Sequence, residues 1–131
     1  MVVITNQSGI GRGYFSAERA EEMNARLHAM VEALGCRLER TYYCPHRPDA
    51  GCNCRKPAPG LLIQAASELG FDPRRTVVIG DKPSDIELGQ GAGAKTILIT
   101  ADSSAPTMRV PPDLVTSNLL EAARAVTAFG W

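Results

Sequence analysis

The chain has 131 residues, with 14 basic side chains balanced by 14 acidic ones, a length that suits one domain spanning residues 1–131 around a single core. Neither sign of charge gathers into a run, which argues against nucleic acid as a partner, and no apolar stretch approaches the roughly 20 residues of a membrane helix. Residues 1–5 lack the pattern of a signal peptide, so the expectation is a soluble, cytoplasmic protein.

The chain opens on Val2-Val3-Ile4, a β-branched run that predicts a strand, followed by the polar stretch Thr5-Asn6-Gln7-Ser8 and a glycine-rich loop, Gly9-Ile10-Gly11-Arg12-Gly13. Ser16 is placed to cap a helix whose apolar positions Ala20, Met23, Leu27, Met30, Val31 and Leu34 follow helical spacing, with Gly35 as its stop. Residues 38–43 predict a second strand leading into a cysteine-rich loop at about 44–54, and a helix follows over residues 59–69, closed by Gly70. The uninterrupted apolar runs at 76–79 and 96–99 predict parallel strands buried on both faces. Residues 101–113, with Pro106, Pro111 and Pro112, read as a loop, and Leu114-Val115 as a strand stub. A last helix is capped by Asn118 with Glu121 reaching back, burying Leu119, Ala122, Ala123, Val126 and Phe129. Strands alternating with helices place the chain in the α/β class with a parallel sheet.

Three of the four cysteines and a histidine, Cys44, His46, Cys52 and Cys54, lie within eleven residues. In a reducing compartment this pattern points to a closed, structural zinc site, the alternative being a surface loop with free or disulfide-paired thiols. Cys36 reads as a small buried residue and His28 as a surface one. Arg55-Lys56 follows the cysteine loop directly; two cations there suit a phosphate, though a solvated basic pair is also common. Asp81 in Gly80-Asp81-Lys82 sits where the 76–79 strand ends, the edge at which open α/β sheets bind ligands, and a carboxylate there is suited to Mg²⁺; a turn and helix cap is the plainer reading. Asp85, four residues on, is placed to orient Asp81 or Lys82. Thr5, Asn6, Gln7 and Ser8 offer hydroxyls, amides and backbone N–H groups to phosphate oxygens, or form an ordinary polar turn.

The series Thr5-Asn6-Gln7-Ser8-Gly9-Ile10-Gly11-Arg12-Gly13, Cys44-Pro45-His46, Cys52-Asn53-Cys54-Arg55-Lys56-Pro57 and Gly80-Asp81-Lys82 closely resembles the haloacid-dehalogenase (HAD) type phosphatases. The nearest group is the D-glycero-D-manno-heptose bisphosphate 7-phosphatases, whose relatives include histidinol-phosphate phosphatases. The resemblance implies a Rossmann-like parallel sheet with a small zinc loop and Mg²⁺-dependent hydrolysis of a small-molecule sugar phosphate by a monomer. It implies that Thr5 and Lys56 stabilise the phosphoryl group and that Asn6, Gln7, Ser8, Arg55 and Lys82 contact substrate. Asp81 would hold Mg²⁺, and Cys44, His46, Cys52 and Cys54 would hold zinc.

The mechanism of these phosphatases also needs an aspartate that attacks phosphorus and a second, two residues later, that protonates the leaving oxygen. No Asp-x-Asp occurs in the sequence; Asp49, Asp72, Asp102 and Asp113 fall in predicted loops. The expectation is a family member that starts at its second signature, without the central strand that would lie between those ending at Thr5 and Gly80. Such a chain should be weakly stable and without turnover. A non-catalytic phosphosugar-binding module, and a zinc module of unrelated fold, are the other readings.

Overall fold

The computed structural model describes residues 1–101 and 108–131, so the readings at Asp102 and Pro106 lie outside the described residues. It divides into two compact units, Met1–Arg55 and Lys56–Trp131.

In the first unit, strand β1 (Val2–Asn6) is followed by a single helical turn α1 (Ser8–Gly11), the long helix α2 (Ala17–Ala33) and strand β2 (Arg40–Cys44). β1 and β2 pair in parallel from Val2 opposite Arg40 to Asn6 opposite Cys44. The strand therefore runs two residues past its apolar run, because β2 supplies ladder partners up to Cys44. Where a glycine-rich loop was predicted, residues 8–11 close a helical turn, and Gly13 at φ 74° takes the chain out of it.

Helix α2 starts and stops as its end signals predict. Ser16 Oγ accepts the Arg19 N–H at 3.3 Å, and Gly35 leaves the helix at φ 75°. Its predicted apolar stripe is not covered, however. Ala20 is buried and Val31 half-buried, while Met23, Leu27, Met30 and Leu34 are exposed. The helix reaches β2 through long polar side chains instead: the Tyr43 hydroxyl donates to Glu21 at 3.0 Å, and His28 Nε2 lies 3.1 Å from Thr41 Oγ1. A groove of about 500 Å³ lined by Ala25, His28, Arg40 and Thr41 lies between them. His28 is thus half-buried with a partner rather than a surface residue. Cys36, expected to be buried, is exposed in the connection after α2.

In the second unit, α3 (Gly60–Leu69) ends at Gly70 with φ 70°. A 3₁₀ turn (Pro73–Arg75), capped by Asp72 accepting the Arg74 N–H at 2.9 Å, leads into β3 (Val77–Gly80). Then come α4 (Pro83–Gly91), β4 (Lys95–Ile99), β5 (Leu114–Thr116) and α5 (Leu119–Phe129). The strands are parallel in the order β3-β4-β5, which is the predicted α/β class.

Burial follows position in this sheet. Central β4 has Thr96, Ile97 and Leu98 wholly inaccessible, packed in a core with Leu61, Leu62, Ala65, Ile86 and Leu88. β3 was predicted to be buried on both faces but is half-buried throughout, since only β4 flanks it in its sheet. Buried Thr96 is satisfied by Asp113, which accepts its N–H at 2.9 Å and its hydroxyl at 3.0 Å.

Asn118 caps α5 by accepting the Glu121 N–H at 2.9 Å. Glu121 does reach back, but to the Ser117 N–H and hydroxyl, at 3.0 and 2.9 Å. Of the five residues expected to be buried on α5, Ala122 is fully buried and Val126 half-buried. Leu119, Ala123 and Phe129 are exposed, and the Phe129 ring stacks on Trp131 at 5.1 Å. Among the described residues no helix is long and apolar enough to cross a membrane.

Candidate functional site

The predicted site residues fall on both units: Thr5, Asn6, Gln7, Ser8, the cysteine loop and Arg55 on the first, and Lys56, Asp81, Lys82 and Asp85 on the second.

Cys44 closes β2, and the chain then turns so that Cys44, His46, Cys52 and Cys54 bring one ligand atom each to within 4.8 Å of all the others. Cys54 Sγ lies 3.1 Å from Cys44 Sγ and 3.5 Å from Cys52 Sγ, and His46 Nδ1 lies 3.1 Å from Cys54 Sγ. Zinc–sulfur bonds of about 2.3 Å in a tetrahedron require sulfurs roughly 3.8 Å apart. The thiols therefore need to open by roughly 0.3 to 0.7 Å to hold the ion. Burial raises the Cys52 thiol, but its contacts with Cys54 and Cys44 and backbone N–H groups outweigh that and lower it to about 6. Burial, then the neighbouring Cys44 and Cys52, push Cys54 up to about 12. A cluster in which one thiol ionises readily while another is held protonated suits a dication that replaces the protons. The donor set fits zinc and is complete without water.

At the end of β3, Asp81 and Lys82 are exposed between Gly80 and the start of α4. Asp85, buried in the first turn of α4, accepts the Lys82 backbone N–H at 3.1 Å and pairs with Lys56 Nζ at 2.7 Å. The side chains of Lys56 and Asp85 retain 15% and 9% of their exposure, so the pair is largely out of water. Gly80 makes this approach possible, because a Cβ there would clash with Asp85 Cβ. Of the two neighbours weighed for Asp85, the structure bonds it to the backbone N–H of Lys82. The pairing with Lys56 was not foreseen, and no local pattern signals it. Asp81 is an exposed carboxylate at the strand tip, a position that suits one oxygen ligand to Mg²⁺ whose other ligands are water and phosphate.

Arg55 follows Cys54 directly. Its Nη1 is buried with no hydrogen-bond partner, an orphan donor of the kind that a phosphate oxygen satisfies. On β1 and the turn after it, Gln7 Nε2 donates to Thr5 Oγ1 at 3.4 Å, and the Gln7 N–H continues the ladder to Cys44 O at 2.8 Å. Within the first unit the structure brings together the Cys3His set, and separately Thr5 with Gln7; within the second it brings together Lys56, Asp85 and the Lys82 backbone.

The second unit is thus a parallel α/β sheet with a carboxylate at a strand tip, beside a largely buried lysine–aspartate pair. The chain belongs to the HAD-like hydrolase family, whose HAD-hydrolase-like model matches residues 53–122. It is 35% identical over 130 residues to the D-glycero-beta-D-manno-heptose-1,7-bisphosphate 7-phosphatase of Haemophilus ducreyi, covering 92% of this chain and 71% of that protein. It is 45% identical over 94 residues to the probable enzyme of that kind from Thermoplasma acidophilum, covering 71% of this chain and 59% of that protein. Against the relatives of Thermoplasma acidophilum, Pasteurella multocida and Pseudomonas putida it spans 57–59% of their length. Among solved structures it superposes on the D,D-heptose 1,7-bisphosphate phosphatase of B. bronchiseptica complexed with magnesium and phosphate. The TM-score is 0.88 at 27% identity, over 98% of this chain and 74% of that one.

Proposed function

We propose that this chain carries the metal- and phosphate-binding part of a Mg²⁺-dependent phosphatase for a sugar phosphate monoester, D-glycero-D-manno-heptose 1,7-bisphosphate at C7. The observation that carries the reading is the buried Lys56–Asp85 pair at 2.7 Å beside the strand tip that presents Asp81 and Lys82. A lysine clamped by a carboxylate is a cation held in place before substrate arrives, which is what phosphoryl transfer needs from the protein. The names of the relatives favour the heptose substrate over histidinol phosphate.

In this reading residues 1–131 are one HAD-type domain with a zinc loop at 44–54. Lys56 and Thr5 hold the phosphoryl oxygens. Arg55, through its orphan Nη1, together with Asn6, Gln7, Ser8 and Lys82, orients the rest of the substrate. Asp81 holds Mg²⁺, which when bound supplies charge neutralisation at the phosphoryl oxygens. Cys44, His46, Cys52 and Cys54 hold zinc, whose role is structural because no ligand position is left for water. The attacking and proton-donating aspartates are not among these 131 residues, since the sequence holds no Asp-x-Asp. The chain by itself therefore binds the phosphosugar without hydrolysing it.

The test is calorimetric titration of the zinc-loaded chain with the heptose bisphosphate, with and without Mg²⁺, alongside a colorimetric assay for released phosphate. Binding should require Mg²⁺ and weaken by at least about tenfold in Lys56→Met, since a hydrogen bond to a charged group contributes about 1.5–3 kcal/mol. Binding indifferent to both, or tighter binding of histidinol phosphate, would overturn the assignment. Phosphate release by the unaltered chain would refute the absence of a nucleophile.

A further inference from the structure

The turn that carries Gln7 and Ser8 is closed by its own backbone bonds: Ile10 N–H to Gln7 O, Arg12 N–H to Ser8 O and Tyr14 N–H to Gly9 O, at 2.8 to 3.1 Å. Two backbone bonds tie it to the cysteine loop. The Gln7 N–H donates to Cys44 O at 2.8 Å, and the Gly11 N–H donates to Pro45 O at 2.9 Å. Both acceptor carbonyls lie in Cys44-Pro45-His46, whose first and last residues belong to the Cys3His set. No side chain caps this turn at Gln7.

Gly11 sits against residues 45–47 so closely that a Cβ would fall 2.7 Å from Pro45 O and 3.0 Å from Arg47 N, both backbone atoms unable to swing aside. Its φ is not positive. Alanine is therefore compatible with the local backbone, and only the contact with the loop would suffer.

We propose that Gly11 is a positioning residue that couples the metal clamp to the turn bearing Gln7 and Ser8: loading the Cys3His set fixes the Cys44 and Pro45 carbonyls and so orders the turn. The value of that order to substrate rests on the reading given under Proposed function; the coupling itself does not. Coupling between two sites is reciprocal, so whatever zinc contributes to the turn, the turn contributes to zinc affinity. Zinc itself is the probe.

The experiment is amide hydrogen exchange on the full chain, zinc-loaded and after chelation, read at Gln7 and Gly11, with α2 and β4 amides as references. Chelation should speed exchange at the two turn amides by about tenfold, within the usual range of site-to-site coupling, and leave the α2 and β4 amides unchanged. Gly11→Ala in the zinc-loaded chain should speed the same amides and raise the zinc dissociation constant by a similar factor, measured by competition with a chromogenic chelator. Turn amides equally protected with and without zinc, or α2 amides that open together with them, would overturn the coupling. A zinc affinity unchanged in Gly11→Ala would also overturn it. If the exchange coupling holds while the heptose bisphosphate fails to bind, the coupling stands and the functional reading falls.

Discussion

Breaking the Lys56–Asp85 pair offers the most direct energetic test of the structure. Asp85→Asn keeps the shape and leaves an oxygen to accept the Lys82 N–H, now at 3.1 Å, but it removes the charge opposite Lys56 Nζ at 2.7 Å. Leaving one member of a buried ion pair without its partner costs about 3–5 kcal/mol. The residual exposures of 15% and 9% let some water reach the pair, so the lower end applies, about 3 kcal/mol. Asp85→Ala also loses the acceptor at the start of α4, adding about 1 kcal/mol. Lys56→Met leaves the carboxylate unpaired but still hydrogen-bonded to Lys82, for about 2–3 kcal/mol. The double substitution Lys56→Met/Asp85→Asn leaves no buried charge and should cost less than the sum of the two single changes by about 2 kcal/mol or more. Urea denaturation at neutral pH reads the zinc-loaded parent chain and all four variants. Single effects that simply add, within about 0.5 kcal/mol, would mean that the pair does not interact in solution as drawn here.

Three further outcomes follow from individual contacts. Gly89→Ala should gain about 1 kcal/mol of helix propensity, yet its Cβ would lie 2.7 Å from Thr96 Cγ2 and 3.0 Å from Val78 Cβ. Overpacking of about 1–3 kcal/mol then wins, and a melting temperature that rose would contradict the packing of α4 on β3 and β4. Burial raises the Asp113 carboxyl, but bonds from Lys95 and Thr96 outweigh this and hold it below the usual value. Its contribution is therefore present above the unfolded carboxylate pKa of about 3.9 and lost as pH falls through the lower folded one. The stability difference between the parent chain and Asp113→Asn should accordingly shrink in acid, and a difference constant from neutral to strongly acidic pH would refute that account. Cys54→Ser should abolish stoichiometric zinc release to a chromogenic chelator, whereas Cys36→Ser, outside the cluster and exposed, should leave it intact.

Much of the architecture was legible because its signals are local. Ser16 and Asn118 cap the helices they precede, and Gly35 and Gly70 end helices in the left-handed conformation that glycine tolerates. Cys44, His46, Cys52 and Cys54 converge as their close spacing in the sequence leads one to expect. What failed was burial. Met23, Leu27, Met30 and Leu34 have helical spacing and remain exposed, since α2 meets β2 through Tyr43–Glu21 and His28–Thr41 rather than through its apolar stripe.

By itself, then, the sequence determined the α/β class, several helix ends and the clustering of Cys44, His46, Cys52 and Cys54, which rest on periodicity, caps and short spacing. Only the tertiary structure decided that Lys56 is clamped by Asp85, that Asp113 satisfies Thr96, and that central β4 is sealed while β3 is half-open. Pairing and burial depend on which remote segments arrive alongside a residue, and helical or strand periodicity carries no information about that arrival.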